Sequence, residues 1–179
     1  IIYRKKAAVG SPWGCRIFYA KASYARSRKH SLVSQGGKGE NAMCGIVGYI
    51  GEEQAAPILL GGLQKLEYRG YDSAGVAVYN DTGVHVVKSK GRLSVLDGIL
   101  QGGKELPGTV GIGHTRWATH GAPSDVNSHP QVSDGGLFAV VHNGIIENYL
   151  YLKNHLIRRG VEFVSDTDTE VVAQMLEYY

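Results

Sequence analysis

The sequence predicts an α+β fold built in layers, on three observations. Short β-rich apolar runs cluster along the chain instead of alternating one for one with helices, which disfavours a doubly wound parallel sheet. Two of those runs flank Asn80-Asp81-Thr82-Gly83, a turn sequence that pairs them as an antiparallel hairpin. Glycine accounts for 25 of the 179 residues, about twice its usual share, as expected where main chain approaches main chain closely.

The elements follow in order. Residues 44–50 (CGIVGYI) form a short apolar run between glycines and read as a buried strand. Residues 55–66 carry apolar side chains at 55, 58, 59, 62/63 and 66, a helical stripe, with Pro57 tolerable in the first turn. Residues 73–79 and 84–88 are the hairpin strands, and 93–100 a short helix. Residues 110–115 and 137–142 are apolar and β-rich. The polar stretch between them, 117–136, holds Pro123 and Pro130; a loop that long in a compact domain is usually functional. A helix over 149–159 closes at Gly160, a short strand follows at 161–164, and a last helix covers 169–179, where Asp168 is placed to cap it.

Composition excludes several classes. At 43% hydrophobic and 20% charged, the chain is an ordinary globular sequence and not disordered throughout. No apolar run reaches the ~20 residues of a helical membrane span. Two cysteines, Cys15 and Cys44, cannot form a disulfide framework, which points to a cytosolic protein. His114, His120, His129 and His142 match no zinc spacing, so no metal is expected.

The net charge of +3 conceals an asymmetry. Residues 1–42 carry nine Lys or Arg and one acid, Glu40, while the remainder is net negative. A basic arm for nucleic acid and a targeting leader both fit that pattern. A third reading fits better. The chain starts with Ile1, its first methionine is Met43, residues 1–42 lack sustained apolar periodicity, and Gly36-Gly37-Lys38-Gly39-Glu40 implies purine-rich codons like those ahead of a bacterial start codon. Residues 1–43 are therefore expected to be a non-native upstream extension plus initiator methionine, and 44–179 the domain proper.

If the methionine is removed, Cys44 carries a thiol and a free α-amine. An α-amine titrates near 7.7–8.0, so at neutral pH part of it is unprotonated and can take the thiol proton. One residue then supplies nucleophile and base; the bland alternative is a buried core cysteine. Asn143-Gly144 follows a predicted strand and offers a side-chain amide and a backbone N–H suited to an oxyanion, or else a plain Asn-Gly turn. Arg116 ends the 110–115 strand, apt for a carboxylate or merely a surface residue. Asp168 could hold an ammonium group or only cap its helix.

Five motifs in order then carry a resemblance: CGIVG from Cys44, YRGYDSAG at 68–75, HTRWATHG at 113–121 with its leading glycine, VHNGIIEN at 141–148, and SDTDTE at 165–170. Together they resemble the N-terminal glutaminase domain of the glutamine–fructose-6-phosphate aminotransferase family, among the class II glutamine amidotransferases. The resemblance runs from Met43 to Tyr179. It implies an N-terminal-nucleophile fold, a four-layer αββα sandwich, here truncated at its C-terminal end and so left with unpaired sheet edges. It implies hydrolysis of L-glutamine to glutamate and ammonia, with Cys44 as nucleophile and Asn143 and Gly144 as oxyanion hole. It assigns Arg116 to the glutamine α-carboxylate and Asp168 to its α-ammonium. Thr119 and His120 become pocket neighbours, Trp117 the gate of the ammonia route, and Arg69 and Gly70 the loop beside the nucleophile. In the whole enzyme a separate isomerase domain, absent from this chain, would aminate fructose 6-phosphate to glucosamine 6-phosphate. A homodimer in the cytoplasm, no cofactor, no nucleic acid and no membrane are implied as well. The alternatives are another branch of the same class, a catalytically silent domain with a basic arm, and a Cys/His/Asn hydrolase using His120 or His142 as base.

Overall fold

The computed structural model describes residues 2–4, 31–35, 44–66, 71–116 and 123–179, the first two stretches as backbone alone. The strands are β1 (Ile2–Arg4), β2 (Ser31–Gln35), β3 (Gly45–Ile50), β4 (Ser73–Asn80), β5 (Gly83–Lys90), β6 (Val110–Arg116), β7 (Gln131–Val132) and β8 (Phe138–Val140); the helices are α1 (Ala55–Leu66), α2 (Leu93–Leu100), α3 (Tyr149–Ile157) and α4 (Thr169–Tyr178). They form two antiparallel sheets, one of order β2-β3-β6-β4-β5 and one of order β1-β8-β7. Helices α1 and α2 cover the larger sheet, α4 covers the smaller one, and α3 packs on α4. The result is the αββα layering expected from the sequence.

Strand periodicity builds the two inner layers. In β4, Ala74, Val76 and Val78 face α1 and α2 with Leu59, Leu63, Leu96 and Leu100, while Ala77 points the other way. Ala77 and Ile112 meet Ala139 and Val141 across the gap between the sheets, with Ile46, Val84 and Val86 at the margin. On the helix side of β6, glycines let α1 lie close. A Cβ at Gly111 would meet Leu59 Cδ1 at 2.8 Å, and one at Gly113 would meet Leu63 Cδ1 at 3.0 Å. The glycine excess is thus partly a helix–sheet contact.

Most elements form where the sequence places them, α1 and α2 with the same bounds. Three expectations need correction. The strand at 161–164 does not form, because the backbone N–H groups of Val164 and Ser165 donate to the Glu170 carboxylate, at 2.9 and 2.7 Å, instead of to a ladder. The edges at β3 and β8 are paired, by β2 and β1, so among the described residues the outer strands are β2, β5, β1 and β7. Both added strands come from the segment without apolar periodicity; an exposed edge pairs through backbone groups and does not require one. The 117–136 loop also contains the two-residue strand β7, which pairs with β8.

Candidate active site

The antiparallel register explains why the motifs converge. Gly45 lies opposite Thr115, which brings Cys44, at the start of β3, level with Arg116 at the end of β6. The Gly45 N–H also donates to Thr115 Oγ1 at 3.2 Å. Alternation along β6 turns Ile112, His114 and Arg116 toward the gap between the sheets and Gly111, Gly113 and Thr115 toward α1. The chain leaving β8 enters the same end of the gap with His142, Asn143 and Gly144.

Cys44 is partly exposed and is not a buried core cysteine. Asn143 Nδ2 donates to the Cys44 carbonyl at 2.8 Å, and Asn143 Oδ1 lies 2.8 Å from His114 Nε2. Gly144 sits at φ 146°, a conformation that favours glycine, and a Cβ there would come within 2.9 Å of His142 Nε2. No strand returns after Asn143-Gly144; the chain continues into α3, so this is not a hairpin turn.

Arg116 is 4% exposed, which excludes the surface reading and places a buried guanidinium beside β3. Asp168 is also buried and does not cap α4: its side chain makes no cap hydrogen bond. Its Oδ2 accepts the Ile146 N–H at 2.7 Å, and Thr169 Oγ1 lies 3.4 Å from both Asp168 Oδ1 and His142 Nδ1. Arg69, Gly70, Trp117, Thr119 and His120 lie outside the described residues.

Sequence reasoning gave three residues no part in the site. His114 is fully enclosed, and burial lowers its pKa to about 4; the Asn143 hydrogen bond opposes that shift, and the charges of Arg116 and His142 add to it. His129 packs edge-on against it, ring centroids 4.5 Å apart, and burial drives its pKa well below 6.5 as well. Glu170, wholly buried, accepts from Val164 N, Ser165 N, Ser165 Oγ and Gln174 Nε2, and so shapes the loop that delivers Asp168. The sequence signal for Glu170 was its place two residues after Asp168 in SDTDTE; nothing local marked the histidines. Among the described residues no group of three or more His, Cys, Asp or Glu is arranged to hold a metal, and no helix is long and apolar enough to cross a membrane.

Cys44 at the head of β3, the Asn143 amide on its carbonyl, and a buried Arg116 and Asp168 thus gather at one end of the two-sheet sandwich. Residues 98–179 match the glutamine amidotransferase domain family. Among curated proteins the chain is similar to the glutamine–fructose-6-phosphate aminotransferase (isomerizing) of Caldanaerobacter subterraneus subsp. tengcongensis, 64% identical over 138 residues, covering 76% of this chain and 22% of that protein. The enzymes of the same name from Clostridium perfringens and Staphylococcus aureus are 58% and 57% identical over 137 residues, with the same coverage. The chain spans about a fifth of the length of the curated relatives it matches. Among solved structures it is similar to glutamine phosphoribosylpyrophosphate amidotransferase from B. subtilis complexed with ADP and GMP (TM-score 0.61, 29% identity, 75% of this chain and 29% of that one). A structure described as the allosteric regulatory enzyme of purine biosynthesis is similar too (TM-score 0.62, 30% identity, the same coverage). The sequence relatives are about twice as similar to this chain in identity as the two structures are.

Proposed function

We propose that this domain hydrolyses L-glutamine to glutamate and ammonia, with Cys44 as nucleophile and its own α-amine as base, once residues 1–43 are absent. The observation that carries this reading is the Cys44–Asn143 contact, which sets an amide donor against the residue whose thiol would attack. Arg116 takes the α-carboxylate and Asp168 the α-ammonium of glutamine; fixing those two charges leaves the side-chain amide as the part that reaches Cys44. The Cys44 thiolate adds to the amide carbon, and the resulting oxyanion is held by Asn143 Nδ2 and the Gly144 N–H. The α-ammonium formed from the thiol proton protonates the departing nitrogen, ammonia leaves, and water, losing its proton to the same amine, hydrolyses the γ-glutamyl thioester. Thr119 and His120 complete the pocket, Arg69 and Gly70 the loop beside it, and Trp117 gates the exit of ammonia.

On the same reading the domain is the glutaminase part of a longer cytoplasmic homodimer. A second domain there uses the ammonia to convert fructose 6-phosphate to glucosamine 6-phosphate, without nucleic acid, membrane or cofactor. The relatives' shared name supports this acceptor. Replacing Cys44 by Ala tests the core of the proposal. Turnover is expected to disappear while calorimetry still detects glutamine binding; turnover near that of the unsubstituted enzyme removes Cys44 from the mechanism.

A further inference from the structure

The oxyanion role asks more of Asn143 than presence. A carboxamide has a donor end and an acceptor end of nearly the same shape, and only the donor end stabilises a developing oxyanion. Something must hold the NH₂ toward Cys44. The Cys44 carbonyl can only accept, so the group facing it at 2.8 Å is Nδ2. Oδ1 then faces His114 Nε2 at 2.8 Å, and that nitrogen must carry the hydrogen. The relay from His114 Nε2–H through the Asn143 amide to the Cys44 carbonyl is self-consistent in one polarity alone. Reversal sets oxygen against oxygen at Cys44.

The geometry points to His114 as the positioning residue that fixes the Asn143 amide with its donor end toward the reacting centre. This rests on the proposed glutaminase reading and adds to it a residue that touches neither substrate nor thiol. The surroundings suit the task. His114 is 1% exposed, in the middle of the sandwich, on the same face of β6 as Arg116, and braced by the His129 ring. Its imidazole is neutral at physiological pH, so it has one N–H to place. With one Nδ2 hydrogen on the Cys44 carbonyl, the second remains for the oxyanion.

The test uses the full-length enzyme beginning at Cys44. His114→Phe keeps a ring of similar size and loses the donor; His114→Gln restores an N–H. His114→Phe is expected to lower kcat for ammonia release by about 10²-fold, the cost of one oxyanion donor, with KM within twofold. His114→Gln recovers most of the loss. In an Asn143→Ala background, His114→Phe costs less than threefold more, because the group it orients is gone. Unchanged kcat in His114→Phe, or a loss that multiplies in full with that of Asn143→Ala, overturns the assignment. A readout free of activity and of variant folding is the ¹⁵N spectrum of the unsubstituted protein. His114 is expected as the neutral Nε2–H tautomer at pH 7, and the Nδ1–H tautomer overturns the assignment. If the unsubstituted enzyme releases no ammonia while the spectrum shows Nε2–H, the glutaminase reading fails and the relay geometry stands.

Discussion

Asp168 Oδ2 accepts the backbone N–H of Ile146 at 2.7 Å, tying the start of α4 to the loop that carries Asn143 and Gly144. A residue positioned in sequence like a helix cap is spent on a different contact, across 22 residues of chain. The bond couples the two halves of the proposed site: the group assigned to the glutamine ammonium also holds the loop assigned to the oxyanion.

Asp168→Asn separates those duties. The amide oxygen can still accept from Ile146, so the loop is expected to stay and the melting temperature to change little. The charge is lost, and KM for glutamine is expected to rise about tenfold or more, the scale of a charge-assisted hydrogen bond. Steady-state kinetics with a thermal melt checks both; an unchanged KM shows that Asp168 does not bind the substrate.

Gly144→Ala places a methyl group within 2.9 Å of the His142 ring on a backbone at φ 146°. The loop must shift, and with it the backbone N–H assigned to the oxyanion. A stability loss of about 1–3 kcal/mol and a fall in kcat of about 10²-fold are expected. Wild-type kcat from a folded Gly144→Ala enzyme removes that N–H from the reaction.

Glu170→Ala takes away the acceptor of two backbone N–H groups and the Ser165 hydroxyl. With Ser165 buried, the expected cost is about 3 kcal/mol in a denaturant titration. Because this loop leads to Asp168, weaker glutamine binding should accompany it. A cost under about 0.5 kcal/mol would mean the loop holds without the carboxylate.

Stability should fall in mild acid because of the two buried histidines. Both titrate near 6.5 when unfolded, whereas in the fold His114 titrates at about 4 and His129 well below 6.5. The unfolded chain therefore binds more protons in between. Their contribution is complete above about pH 6.5 and is lost as pH falls toward and through 4, reaching about 3 kcal/mol for His114. Unfolding free energies from pH 7 to 4 should drop less steeply in His114→Phe; equal slopes would show that His114 does not stay neutral.

Periodicity and turn chemistry revealed the elements whose contacts are local. The helical stripe of α1 and the Asn80–Gly83 turn joining β4 to β5 are examples. Strands β1 and β2 were not legible, because each exists only through the edge of another strand: Ile2 pairs with Val140, and Leu32 with Tyr49; β7, only two residues long, shows no periodicity. The apolar run at 161–164 misled for the converse reason, its donors going to a carboxylate six residues or fewer away. At the site, Cys44, Asn143, Arg116 and Asp168 stood out by residue type and position. His114 did not, since its part depends on a neighbour 29 residues along the chain.

The account turns on the nitrogen of Cys44. Ammonia release from glutamine should be measured for the full-length enzyme beginning at Cys44 and for the same enzyme retaining residues 1–43. Turnover by the first and none by the second is expected, because a peptide nitrogen cannot take the thiol proton. Equal turnover by both would contradict the mechanism.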